Sequence, residues 1–297
     1  MLSLLHGTSQ IFFHTKTVPG LLILAAFAVA DWRMAILVLL GSAGSSLAGL
    51  MLRVPAHEVR NGHQGFCGAL VGAAAYASLG SGWLGVLAAV VGGVACAPVT
   101  WVLVRVFDSR PLKRYKLPYT TAPFCIIGGL MLLATAGHHV SEAIGEIDDS
   151  LRTDFFRSLL TNISEVVLID NVGAGGLILL ALFLIHWKVG LAAVLGSVLQ
   201  TFLVLLLHED AVSLGQGVLG YSGVLVAIAM AAVFLKGTWQ PWVMAVAGTV
   251  LACLFTLVVQ DLHGVYTWPY VITTWVLLVV SRYIPGVDHA THEPLPG

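Results

Sequence analysis

Charge is scarce in this chain. Asp, Glu, Lys and Arg together supply 10% of the 297 residues, far below the roughly 25% of an ordinary soluble domain. That excludes a soluble enzyme and a disordered regulator. Lys and Arg number 14 against 15 Asp and Glu, for a net charge of −1, so no bulk field exists for a polyanion and nucleic acid is not an expected partner. The four cysteines, Cys67, Cys96, Cys125 and Cys253, lie inside apolar runs with no C-x-x-C spacing, which argues against a zinc centre or a disulfide framework. No G-x-x-x-x-G-K-[ST] pattern occurs, so no ATP-binding loop is expected. His138 and His139 look like loop residues, and no Ser/His/Asp arrangement emerges. An enzyme, a cofactor and a metal are therefore not expected. Residues 1–17 have neither a basic n-region nor a cleavage-like site, so the first apolar span is expected to remain in the protein.

What the chain has is apolar length. Hydrophobic residues make up 58% and glycines number 32; small residues let membrane helices approach closely. A membrane crossing takes about 20 residues. Apolar spans fall near 19–31, 33–52, 64–80, 83–107 and 118–137, then near 173–187, 189–208, 219–235, 239–259 and 268–284. Segments 7–17 and 155–169 are too short or too polar to cross alone, so short tilted helices packed on the bundle are expected. The expected fold class is an all-α polytopic membrane protein with ten transmembrane helices and two short tilted pore helices.

The basic residues give these spans a direction. With the amino terminus on one side, alternate connections place Lys16, Arg53, Arg60, Arg105, Arg110, Lys113, Arg114, Lys116, Lys188, Lys236 and Arg282 on that side, and only Arg33, Arg152 and Arg157 opposite. The positive-inside rule then predicts both termini in the cytoplasm of an inner-membrane protein. The loop 138–154, with Glu142, Glu146, Asp148, Asp149 and Asp154, would face outward. Residues 285–297 read as a short disordered cytoplasmic tail, in which His289 and His292 are weak metal candidates.

A shift of 155 residues lays one half on the other. Gly20 meets Gly175, Trp32-Arg33 meets Trp187-Lys188, and Gly41-Ser42 meets Gly196-Ser197. Gly62, Gly65, Gly68, Leu70 and Val71 meet Gly217, Gly220, Gly223, Leu225 and Val226. Each half, 1–137 and 155–284, holds five spans. An odd number predicts that the second copy enters the membrane from the opposite side, an inverted repeat of the kind that places a solute site between its copies.

Three elements recur in both halves. Gln10 and Glu165 stand 155 residues apart on the short segments, where a polar group in an apolar run either faces a cavity or caps a helix end. Phe66 and Leu70, and likewise Tyr221 and Leu225, lie four apart on one helix face, which suits either a flat solute wall or plain core packing. Thr121 and Thr267 stand two residues before Pro123 and Pro269, where a hydroxyl can serve a pore or bond back to its own helix.

With GFCGALVG and GYSGVLVA, LPYTTAPFCI, and SQIFF followed by PGLLIL, the chain resembles the urea transporter family from about Thr8 to Tyr283. The resemblance implies a passive, channel-like urea path through each subunit of a homotrimer. By position it implies Gln10 with Phe13 and Glu165 with Val166 near two amide sites, Phe66 with Leu70 and Tyr221 with Leu225 as walls, and Thr121 and Thr267 at a middle constriction. Departures are Cys67 and Ser222 where the family usually has Asn, Thr120 in place of a commonly aliphatic residue, and an eroded TWPY word. Urea or a related small amide, together with membrane lipid, are the expected partners. Glu165 leaves an ion-coupled carrier of a small neutral amide as the alternative.

Overall fold

Helix starts and stops follow local chemistry. Asp31 takes an extended backbone and its side chain accepts the Arg33 backbone N–H at 2.7 Å, satisfying one of the orphan donors that open a helix. Asn171 does the same for Ala174 at 2.9 Å, and His186 Nδ1 accepts from the Lys188 N–H at 3.1 Å. The computed structural model describes residues 2–140, 151–207 and 215–290, with the backbone alone for 151–154. The acidic residues of the expected outward loop, and His292, lie outside that description, Asp154 as regards its side chain.

The chain forms two compact units, residues 1–112 with 118–143, and residues 113–117 with 144–297. In the first unit the helices are α1 (Leu2–Gln10), α2 (Thr17–Ala30), α3 (Trp32–Met51), α4 (Ala56–Arg60), α5 (Gly65–Leu79), α6 (Trp83–Phe107) and α7 (Ala122–Ala134). Its core is a crossing of α3, α5 and α6 at bare backbone: a Cβ on Gly41 would strike the Gly68 carbonyl, and one on Gly93 the Gly41 carbonyl. Van der Waals contact between close backbones is what holds such helices together where no hydrophobic driving force acts.

In the second unit α8 (Leu151–Ser164) runs into a single 3₁₀ turn, Glu165–Val167. Then come α9 (Val172–Ile185), α10 (Trp187–Leu206), α11 (Tyr221–Ile228), α12 (Gln240–Val259) and α13 (Trp268–Ser281). Helix α11 widens into a π-helical turn, Ala229–Phe234. The bounds of α9 and α10 lie 155 residues beyond those of α2 and α3. Gly62 (φ 84°) and Gly217 (φ 80°) hold the same left-handed turn, and at both a Cβ would meet the backbone of the short helix; only glycine fits.

Among the described residues, α3, α6, α10 and α12 are long and apolar enough to cross a membrane. A bent pair, 155–167 with α9 at 75°, adds a fifth. The other apolar helices are shorter, 13 to 15 residues for α2, α5, α7 and α13. At 1.5 Å per residue they reach about 20–22 Å, short of the roughly 30 Å of hydrocarbon. By length alone the ten expected spans are therefore four or five. Extended Asp31 ends α2, Gly80 (φ 68°) ends α5, and left-handed Thr120 and Tyr266 delay the starts of α7 and α13.

The short segments also end sooner than expected. Helix α1 stops at Gln10 and Phe13 turns left-handed (φ 70°); the 3₁₀ turn stops at Val167 and Leu168 turns left-handed (φ 63°). The start of the tail is ordered: β2 (Asp288–His289) pairs antiparallel with β1 (Leu235–Lys236), and His289 Nε2 lies 2.8 Å from Ser281 Oγ.

Candidate functional site

In the first unit α5 packs against both α1 and α7. That brings together the short helix ending at Gln10, the helix carrying Phe66 and Leu70, and the turn carrying Thr121. Gln10 is buried, with Nε2 3.4 Å from His63 Nε2. Phe13 follows it in the left-handed turn. Phe66 stacks on Tyr119 with centroids 5.9 Å apart and planes 27° apart. Leu70 is buried one turn further along α5. Thr121 occupies the N-cap position of α7 and follows Thr120, which is left-handed at φ 46°.

The second unit gathers the same parts. Helix α11 packs against α8, the Glu165–Val167 turn and α13. Glu165 opens the 3₁₀ turn, and Val166 is buried beside it. Tyr221 and Leu225 lie buried on α11, and Thr267 occupies the N-cap position of α13 after the left-handed Tyr266 (φ 44°).

A hydroxyl ties the glycine-rich helix to the threonine turn in each unit, with the donor exchanged. Tyr119 donates to the His63 carbonyl at 2.8 Å just before α5, whereas Tyr221 at the start of α11 donates to the Tyr266 carbonyl at 2.5 Å. Cys67 adds a second link in the first unit, its thiol donating to the Thr120 carbonyl at 3.6 Å. Its counterpart Ser222 buries a hydroxyl for which no hydrogen-bond partner is present. A thiol is a weak donor and a small hydrophobe, so Cys67 suits this site at little desolvation cost.

Sequence reasoning missed the polar groups that hold these helices. Ser45 Oγ donates to the Gln64 carbonyl at 2.5 Å. Gln200 Nε2 donates to the Leu219 carbonyl, also at 2.5 Å. Donor and acceptor are each displaced by 155 residues, so one carbonyl ahead of α5 and of α11 is satisfied by the same helix position. The second unit adds Asn162, fully buried, whose Nδ2 donates to Ser197 Oγ at 3.1 Å and Thr201 Oγ1 at 2.9 Å. The available signal was the column Gly7/Asn162, Ser42/Ser197, Ser45/Gln200 and Ser46/Thr201 within the 155-residue shift.

Long apolar helices joined at bare-backbone crossings, with buried polar side chains bonded to backbone carbonyls and a bent helix pair, define a multi-pass α-helical membrane protein. The chain belongs to the urea transporter family, whose model, described as "Urea transporter", matches residues 1–282. Similar curated proteins are Urea transporter 1 of Capra hircus, 26% identical over 302 residues covering 95% of this chain and 77% of that protein, and Urea transporter 1 of Mus musculus, 26% identical over 305 residues covering 96% and 78%. That family is one of transporters rather than enzymes.

Proposed function

We propose that the protein passes urea passively across the cytoplasmic membrane, through a slot between two inverted five-span repeats. The observation that carries this reading is the doubled constellation within a urea transporter chain: a polar residue at the end of α1 (Gln10) or just past the end of α8 (Glu165), an aromatic and an aliphatic side chain four apart, and a threonine just before the next helix. All ten apolar helices take part as spans, the short ones packed among the long. Both termini lie in the cytoplasm, where eleven of the fourteen basic residues gather, and the assembly is a homotrimer.

Urea is flat, neutral and rich in N–H donors. Removing its water costs several kcal/mol unless replacement hydrogen bonds are offered. Gln10 and Glu165 offer them at the two ends, and Thr121 and Thr267 in the middle. Several modest sites in series let the solute enter and leave. Phe66, Leu70, Tyr221 and Leu225 give nothing to a hydrated cation, so Na⁺ is refused. Phe13 and Val166 close the apolar sides next to the amide sites.

A second reading, an ion-coupled carrier of a small neutral amide, is favoured by one feature, the carboxyl of Glu165 on the path. Purified protein in liposomes separates the two. Passive permeation predicts equal urea rates with ion gradients intact or collapsed and no accumulation above equilibrium; uptake against a urea gradient that an ionophore abolishes would establish the carrier.

A further inference from the structure

We propose that the second unit carries a binding site for a phosphate-bearing anion, a lipid headgroup or free phosphate, in the cavity between Lys188 and Lys236. The cavity measures about 130 Å³ and is lined by Lys188, Leu235, Lys236, Thr238, Pro241 and Trp242 among others. A single water needs about 10–15 Å³ by this measure, so the space admits a multi-atom polar group.

Its position and its charge point the same way. Lys188 sits in the first turn of α10, and Lys236, Gly237 and Thr238 lead into the first turn of α12. Two long apolar helices thus open at one cavity, each turning the positive end of its dipole that way. Trp187 and Trp239, both largely exposed, flank these starts, as aromatic side chains do at a membrane–water boundary. One wall is the π-helical turn, from which Ala231 and Ala232 line the space; their short side chains leave the room that a bulkier pair would fill.

The surroundings carry charge of both signs. Lys236 lies on β1 opposite Asp288, the nearby acid, and next to His289. Burial first, then the charges of Arg282 and Lys116, hold the His289 imidazole below its ordinary pKa. The corresponding end of the first unit keeps one cation, Arg33 at the position of Lys188, but has Asp31 where the second has His186 and Ser81 where it has Lys236. The second cation therefore belongs to one unit alone, whereas a requirement of the shared scaffold would place it in both.

The test is thermal unfolding of detergent-purified protein with added phosphatidylglycerol, phosphatidylcholine or inorganic phosphate. Wild type and a control, Lys113→Gln/Arg114→Gln, are expected to be stabilised by phosphatidylglycerol over phosphatidylcholine. Lys188→Gln/Lys236→Gln should weaken the apparent affinity by about tenfold or more, and Lys188→Arg/Lys236→Arg should largely keep it. If the double glutamine variant does not fold, Lys236→Gln alone, on an exposed side chain, takes its place. Stabilisation by phosphatidylglycerol alone assigns the anion to lipid; equal stabilisation by inorganic phosphate assigns it to the free ion. An unchanged affinity in the lysine variants, or no stabilisation by either phosphate source, overturns the proposal.

Discussion

The two units solve one packing problem with different side chains. Where α1 approaches α3 and α5, the first unit uses Gly7, Ser42 and Ser46, and the hydroxyls of both serines are buried without a hydrogen-bond partner. Where α8 approaches α10 and α11, the second uses Asn162, Ser197 and Thr201 joined by hydrogen bonds, with Ser197 Oγ also donating to the Leu159 carbonyl at 2.8 Å. Both units keep the bond to the carbonyl ahead of the glycine-rich helix, made by Ser45 in one and Gln200 in the other. The shared requirement is thus a satisfied backbone acceptor and a close helix crossing. Residue identity is free to drift around it. The polar network fixes the geometry through its amide donors, with Asn162 Oδ1 and Gln200 Oε1 left buried without a partner, whereas small residues fix it by leaving no room.

The largest effect should come from the crossing itself. In Gly41→Val the new side chain would run into backbone, where nothing can move aside, for an expected loss of about 3 kcal/mol. Gly196→Val meets the Gly223 carbonyl at 2.7 Å but also the Ala227 methyl at 2.9 Å, and about 2 kcal/mol is expected. Thermal unfolding in detergent measures both, and a costlier change at Gly196 would reverse the ranking of the two crossings.

Asn162→Ala should cost about 1–3 kcal/mol, because it strips hydrogen bonds from buried groups. Ser42→Ala should be neutral within about 0.5 kcal/mol or stabilising, because its hydroxyl is already desolvated without return. If the two substitutions cost the same, the contrast between a networked and a small-residue interface is wrong. The tyrosine ties come next. Tyr119→Phe and Tyr221→Phe should each cost about 1 kcal/mol and lower urea flux in liposomes by loosening the turns before Thr121 and Thr267.

The smallest effect lies at Asp31. The Tyr76 hydroxyl, donating at 2.5 Å, and then the Arg33 N–H hold its carboxyl below the ordinary value of 3.8. A lowered carboxylate pKa adds stability that is complete above the unfolded value and is lost as pH falls through the folded one. Tyr76→Phe should therefore flatten the fall in thermal midpoint between about pH 5 and about pH 3. The effect should be under about 1 kcal/mol, since solvent screens the group. His186 occupies the same place in the second unit and Ala231 that of Tyr76, so the tyrosine–carboxylate bond has no counterpart there.

Much of this comparison was legible in the sequence. The Trp-basic pairs and matched glycines placed α2 against α9 and α3 against α10 at the same shift the structure shows. The shift fails further on, because the connection before the last helix of the second unit is shorter: Thr121 and Thr267 are 146 residues apart, not 155. Helix ends were less legible, since apolar composition continues through Phe13 and Leu168 while the backbone turns. The Tyr119 and Tyr221 ties join residues about fifty positions apart, and the Asn162 network shows only as a column of small and polar residues. The β1–β2 pairing was invisible, because a two-residue strand carries no periodicity.

The central claim is that both units serve one path, with Gln10 and Glu165 in series. Stopped-flow urea flux per reconstituted protein tests it with Gln10→Ala and Glu165→Ala. A single shared path predicts that each substitution alone drops the flux well below half of wild type, while the thermal midpoint stays close to it. Half or more of the flux surviving in both variants would contradict the claim, because that is what two parallel routes, or a route that avoids these residues, would give.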